Sequence, residues 1–136
     1  MISKKIYYND DDYYLQIWDT AIDPNNNKIY DVFFEGAKGA FLIYDITNLQ
    51  SFININNYNQ QINENITEPF KILIGYNCDK ENRAVTPEEG KNLANELKID
   101  SFFEIPSQGN EKIDEMINIL SVKRLFDEKN NNCLII

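Results

Sequence analysis

At 136 residues the chain can bury one core and holds one domain at most, shorter than a complete nucleotide-binding α/β domain. A formal net charge of -9 and a pI near 4.4 argue against nucleic acid as a partner and against loose adhesion to anionic lipid, while the lack of histidine removes the commonest general base and metal ligand. Apolar residues make up 43% of the chain, enough to fold it, yet no apolar run approaches the roughly 18 residues that span a bilayer. The two cysteines, Cys78 and Cys133, lie far apart without zinc-site spacing and follow no signal peptide, so a cytoplasmic protein without a metal is expected, its membrane contact made through the terminus.

In chain order, Ile2 to Tyr8 and Tyr13 to Trp18 predict two strands joined by the acidic turn Asn9 to Asp12, a β-hairpin. Asn25 to Asn27, like Asn130 to Asn132, reads as solvated loop. Gly39 to Asp45 is a near-continuous apolar run, as in a strand buried on both faces of a parallel sheet, and Lys71 to Tyr76 repeats it. Between them Phe52, Ile55, Tyr58 and Ile62 recur at helical spacing and predict a weak, Asn-rich crossover helix. Thr86-Pro87-Glu88-Glu89 is a capping box with proline at the first helical position, opening a helix whose apolar face is Leu93, Ala94 and Leu97. A short strand at Ser101 to Ile105 and an amphipathic helix marked by Ile113, Met116, Ile117, Leu120 and Phe126 complete the pattern. Alternating strands and helices imply an α/β fold with a mainly parallel sheet and a ligand site beyond the carboxyl ends of the strands. The domain is expected over residues 1–126, with 127–136 as a short polar tail.

Four ordered segments resemble the Rab family of small GTPases. Leu15-Gln16-Ile17-Trp18-Asp19-Thr20-Ala21 resembles the family's LQIWDTAGQE, and Phe33-Phe34-Glu35-Gly36-Ala37 follows without a gap where Rabs have YYRGA. Leu42 to Thr47 resembles LVYDIT, Leu73 to Asp79 resembles LVGNKCD, and Arg83-Ala84-Val85 with Glu88-Glu89 continues the likeness. The resemblance implies a truncated, degenerate member with an incomplete small-GTPase fold, an antiparallel hairpin at its start, and neither the first strand nor the first helix. That strand lies centrally in the family, between the equivalents of Tyr13 to Trp18 and Gly39 to Asp45. Its loss would leave two unpaired strand edges open to self-association.

Rabs are guanine-nucleotide switches, and the resemblance assigns nucleotide-site positions to Asp19, Ala21, Ile22, Tyr76, Asn77 and Asp79. The phosphate loop G-x-x-x-x-G-K-[ST] and the first switch are missing; Gly90-Lys91 and Gly39 read as structural. If that loop supplies about five charge-assisted hydrogen bonds at roughly 1.5 kcal/mol each, its loss costs on the order of 7 kcal/mol, or roughly five powers of ten in affinity. Asp19 stands at the metal-shell position, Ile22 replaces the glycine whose amide senses the γ-phosphate, and Asp23 replaces the glutamine that positions the attacking water. In NKxD only Asp79 survives, and Pro106-Ser107-Gln108 stands at the SAK motif. The expectation is no catalytic residue and no GTP hydrolysis, with GTP or GDP and Mg2+ bound only if the family function is retained.

The family's aromatic effector triad maps to Met1, Trp18 and Phe33, the expected partner-binding residues. Cys133-Leu134-Ile135-Ile136 is a C-a-a-X pattern that predicts geranylgeranylation of Cys133 by a prenyltransferase and removal of Leu134 to Ile136. Three functional readings follow: a prenylated, nucleotide-independent Rab-like module of vesicle traffic on the cytoplasmic face of a membrane, meeting effectors and escort or GDI-type proteins; a fragment of a Rab GTPase; or a Rab switch with weak nucleotide binding.

Overall fold

A computed structural model describes residues 1–8, 10–23, 25–108 and 133–135; the helix expected around Ile113 to Phe126 lies outside them. The apolar run around Gly39 becomes β5 (Ala37–Asp45), most of whose side chains are buried while Lys38 and Ile43 are exposed. Ala40, Leu42 and Tyr44 enter one core cluster and Phe41 the other. β6 (Phe70–Tyr76) pairs with β5 in parallel from Gly39↔Phe70 to Asp45↔Tyr76, and β7 (Ser101–Ile105) extends the sheet in parallel. At the other end β1 (Ile2–Tyr8) and β2 (Asp11–Trp18) form the expected antiparallel hairpin. Its second strand begins at Asp11, because Asp10 takes a left-handed φ of 65° and closes the turn within two residues.

The sheet order is β1-β2-β8-β5-β6-β7, where β8 is Cys133–Ile135. Here the expected pair of open edges is corrected. Gln16, Ile17 and Trp18 pair in parallel with Cys133, Leu134 and Ile135, and the same three residues pair in parallel with Ala37, Gly39 and Ala40. The end of the segment read as polar tail thus contributes a strand. The physical reason is that Ile17, Ala37 and Ala40 are buried, where backbone groups without partners are costly.

α1 (Leu49–Asn65) crosses over between β5 and β6, with Asn48 Oδ1 accepting the Ser51 N–H at 3.1 Å. It buries Ile55 and Ile62 against Leu42, Tyr44 and Leu73. Its asparagines are more than solvated surface: buried Asn59 and neighbouring Asn63 accept from Lys71 Nζ of β6 at 2.7 and 2.9 Å. Burial lowers the Lys71 pKa, partly countered by Asp100. α2 (Pro87–Glu96) starts with the predicted capping box: Glu89 N–H donates to Thr86 Oγ1, and Thr86 N–H donates to Glu89 Oε2. Gly90 lets α2 approach the sheet, since a Cβ there would stand 2.4 Å from Tyr44 Oη and 2.6 Å from Phe102 Cζ. Replacing Gly90 by alanine is therefore expected to destabilise the protein by about 1–3 kcal/mol in urea unfolding, and Tyr44→Phe in that background to restore part of the loss by removing the nearest atom.

Candidate functional site at the carboxyl ends of the strands

β2, β8, β5, β6 and β7 run in parallel, so the loops leaving β2, β5, β6 and β7 gather at one edge. The β2 exit carries exposed Asp19 and Ala21, then a small hairpin of β3 (Ile22–Asp23) and β4 (Lys28–Ile29). Asp23, expected at the water-positioning place, closes this hairpin: its carboxylate accepts from Asn25 N–H at 2.9 Å and its carbonyl from Asn27 N–H at 2.9 Å. Asn27 takes a φ of 56°.

Four hydrogen bonds from α1 hold the hairpin. Asn57 Nδ2 and Gln61 Nε2 donate to the Asn27 carbonyl at 2.9 and 3.1 Å, and Tyr58 Oη donates to Asn27 Oδ1 at 2.6 Å. Ile29 N–H donates to Gln61 Oε1 at 2.8 Å, and the Ile29 side chain is buried in the core. The loop read as solvated is thus anchored through Asn27. Asn57 and Gln61, one helical turn apart beside Tyr58, carry the clamp, and no spacing in the sequence sets them apart from the other amides of the helix.

Between this exit and β5 lies a cavity of about 230 Å³. Asp19, Thr20 and Ile22 line one side, and Ala40 to Ile43, Tyr58 and Ile62 line much of the rest. Among the described residues, no lysine or arginine lines it, and Asp19 and Ile22 meet at a mostly apolar recess.

Tyr76, Asn77 and Asp79 leave β6, separated from the β2 exit by β8 and β5 in the sheet order. Asn77, at φ 69°, turns the chain. Tyr76 Oη donates to the Ser107 carbonyl at 3.4 Å. Asp79 accepts twice from Ser107, Oδ1 from its N–H and Oδ2 from its hydroxyl, both at 2.6 Å. These bonds, the hydroxyl first, hold the Asp79 carboxyl below its ordinary pKa. Thr47 does the same for Asp45, through its hydroxyl and then its N–H. Behind this cluster Arg83 grips Glu104 with two hydrogen bonds of 2.7 and 3.0 Å and donates to the Val85 carbonyl.

Of the three expected partner residues, Trp18 and Phe33 meet edge to face, with ring centroids 6.4 Å apart. Trp18 is half-buried, its Nε1 without a hydrogen-bond partner among the described residues, and Phe33 packs against the core. Met1, at the start of the strand beside β2, is 70% exposed, as is Val32 next to Phe33, a residue that sequence reading passed over.

A model of the Ras family matches residues 1–125. The chain belongs to the Ras family. Its relatives are of the Rab type. The Ras-related protein SEC4 of Candida albicans is 37% identical over 117 residues, covering 82% of this chain and 55% of its own. The GTP-binding protein ypt2 of Schizosaccharomyces pombe is 41% identical over 106 residues, with coverages of 74% and 51%. The Ras-related protein Rab-13 of Rattus norvegicus is 38% identical over 109 residues, with coverages of 79% and 53%. The chain spans about half the length of the curated relatives it matches. Ras-family proteins bind GTP or GDP with Mg2+, and Rab-type members meet effectors, GDI-type proteins and prenyltransferase. Among the described residues of this Ras-family chain, no cluster of His, Cys, Asp and Glu could hold a metal ion, and no helix is long and apolar enough to cross a membrane.

The Asp79 to Ser107 tie gives this Ras-family chain a pH signature. A carboxylate with a lowered folded pKa stabilises the protein above its unfolded value, 3.8, and loses that contribution as pH falls through the folded value. Melting temperatures of the wild type and of Asp79→Asn are expected to differ at neutral pH and to converge as pH drops below 3.8.

Proposed function

We propose that this Ras-family chain is a Rab-like module of vesicle traffic that presents one fixed surface and does not switch with GTP and GDP. The observation that carries this reading is the clamp of α1 on the hairpin after Asp19, the segment where the resemblance places nucleotide sensing. At about 0.5–1.5 kcal/mol each, four such bonds favour the ordered form by about 2 kcal/mol or more without any γ-phosphate. Ile22 and Asp23, which stand where the family has its sensing glycine and its glutamine, are fixed in that hairpin.

The other residues agree. A triphosphate needs cations or clustered N–H donors, whereas the recess beside Asp19 brings one carboxylate and apolar walls. Each Asp79 oxygen already accepts from Ser107, so a guanine edge would compete with the chain's own donors. The residues present do not fit a bound nucleotide and Mg2+, and no hydrolysis follows from them.

What remains for recognition is the Trp18 and Phe33 edge, flanked in sequence by exposed Val32, which suits an effector or a GDI-type partner. Cys133, in its C-a-a-X pattern, is proposed as the geranylgeranyl site through which a prenyltransferase gives the protein a peripheral place on the cytoplasmic face of a membrane. One prenyl chain gives only reversible attachment.

Thermal melts of the purified chain with and without Mg2+ and millimolar GDP or GTP test the reading, since a ligand of the folded state raises the midpoint. A cooperative melt within about 1 °C of the nucleotide-free value is expected; a guanine-specific rise would sink the proposal. The clamp has its own test: Gln61→Ala with Tyr58→Phe should accelerate amide exchange across residues 22–29 while leaving β6 and β7 protected.

A further inference from the structure

We infer that β8 is an internal plug: residues 133–135 close the slot between β2 and β5, and while seated there they withdraw Cys133 from lipid transfer. The inference rests on the lipidation reading above for its consequence, but on backbone pairing alone for its structure.

Cys133, Leu134 and Ile135 each have a partner on both sides, Gln16 to Trp18 in β2 and Ala37, Gly39 and Ala40 in β5. No direct pairing joins β2 to β5, so among the described residues these three alone bridge the hairpin to the rest of the sheet. The fit on the β5 side is imperfect, with a shift in register between Ala37 and Gly39. A strand of three residues with an irregular edge belongs to the weakly held elements that open locally before the fold as a whole does. The plug is therefore both useful to the sheet and releasable from it.

Lipid transfer requires the same residues in another place. The Cys133 sulfur attacks the first carbon of an isoprenoid diphosphate; the S–C bond forms, the C–O bond breaks, diphosphate leaves, and the thiol proton passes to solvent. The transferring enzyme must hold the C-a-a-X residues, which it cannot do while their backbone is paired on both edges in the sheet. Seating and lipidation are mutually exclusive. Subsequent hydrolysis of the peptide bond after Cys133 would remove Leu134 to Ile136, so a processed chain could not reseat its plug and would leave the slot open to another strand.

The chain has two cysteines, so Cys78→Ser leaves Cys133 as the sole native thiol. Adding Gln16→Cys places a second thiol at its register partner, and Asp12→Cys serves as a control further along the same strand. Under mild oxidation the plug predicts a monomeric disulfide between positions 16 and 133, formed about tenfold or more faster than one between positions 12 and 133. No preference for position 16 would overturn it, as would covalent dimers alone, which would mean that a second copy fills the slot. In parallel, geranylgeranyl transfer by a prenyltransferase to the folded Cys78→Ser chain should run about tenfold or more slower than to a peptide of residues 127–136. Equal rates would overturn the protection of Cys133. Transfer to neither substrate would overturn the lipidation reading, and the cross-link would still decide the plug.

Discussion

Everything in this fold leans on β5, a buried strand whose backbone needs hydrogen-bond partners along both edges. β6 satisfies one edge from Gly39 to Asp45. The other edge has only the three residues of β8, which also tie in the hairpin of β1 and β2. Because β5 also separates the two core clusters, Leu42 and Tyr44 packing under α1 and Phe41 packing on the opposite face, its placement decides where every loop at the carboxyl edge emerges. The fold is thus a sheet in which β8 lies between β2 and β5.

At that edge, polar side chains that could serve a ligand serve the loops. Asp23 closes the β3 and β4 hairpin, Asp45 accepts twice from Thr47, and Asp79 accepts twice from Ser107. For Asp45 and Asp79 these donors stabilise the ionised carboxylate, and any incoming group must offer something better. Among the described residues no lysine or arginine lines the recess beside Asp19, in a chain that is acidic overall. The half-buried contact of Trp18 and Phe33 joins the end of β2 to the segment that leads into β5.

The amides of α1 show how composition misleads. A helix with so many asparagines reads as a weak one in solvated surroundings, yet Asn57, Asn59 and Asn63 are fastened to the Asn27 carbonyl and to the Lys71 ammonium, with Gln61 and Tyr58 completing the hold on the hairpin. Helix propensity measures a side chain against its own backbone; it says nothing about an acceptor that arrives from another segment.

The sequence by itself determined the elements and the family. Apolar runs at Gly39 to Asp45 and Lys71 to Tyr76, the capping box at Thr86 and the segment around Trp18 to Ala21 are local patterns, and local patterns specify strands, helix starts and kinship. It also shows that Ile22, Asp23, Tyr76 and Asn77 differ from the family's motif residues at those positions, because the residue at a motif position is read directly. Only the tertiary structure decided that Asp79 is occupied by Ser107, that the loop at Asn27 is clamped, and that Cys133 to Ile135 lie in the sheet. The physical reason is that each is a pairing between segments far apart in the chain, and a hydrogen bond of that kind leaves no period or spacing in the sequence. Cys133, Leu134 and Ile135, three of the four residues of the C-a-a-X pattern, also form β8, and the sequence pattern alone could not tell the two roles apart.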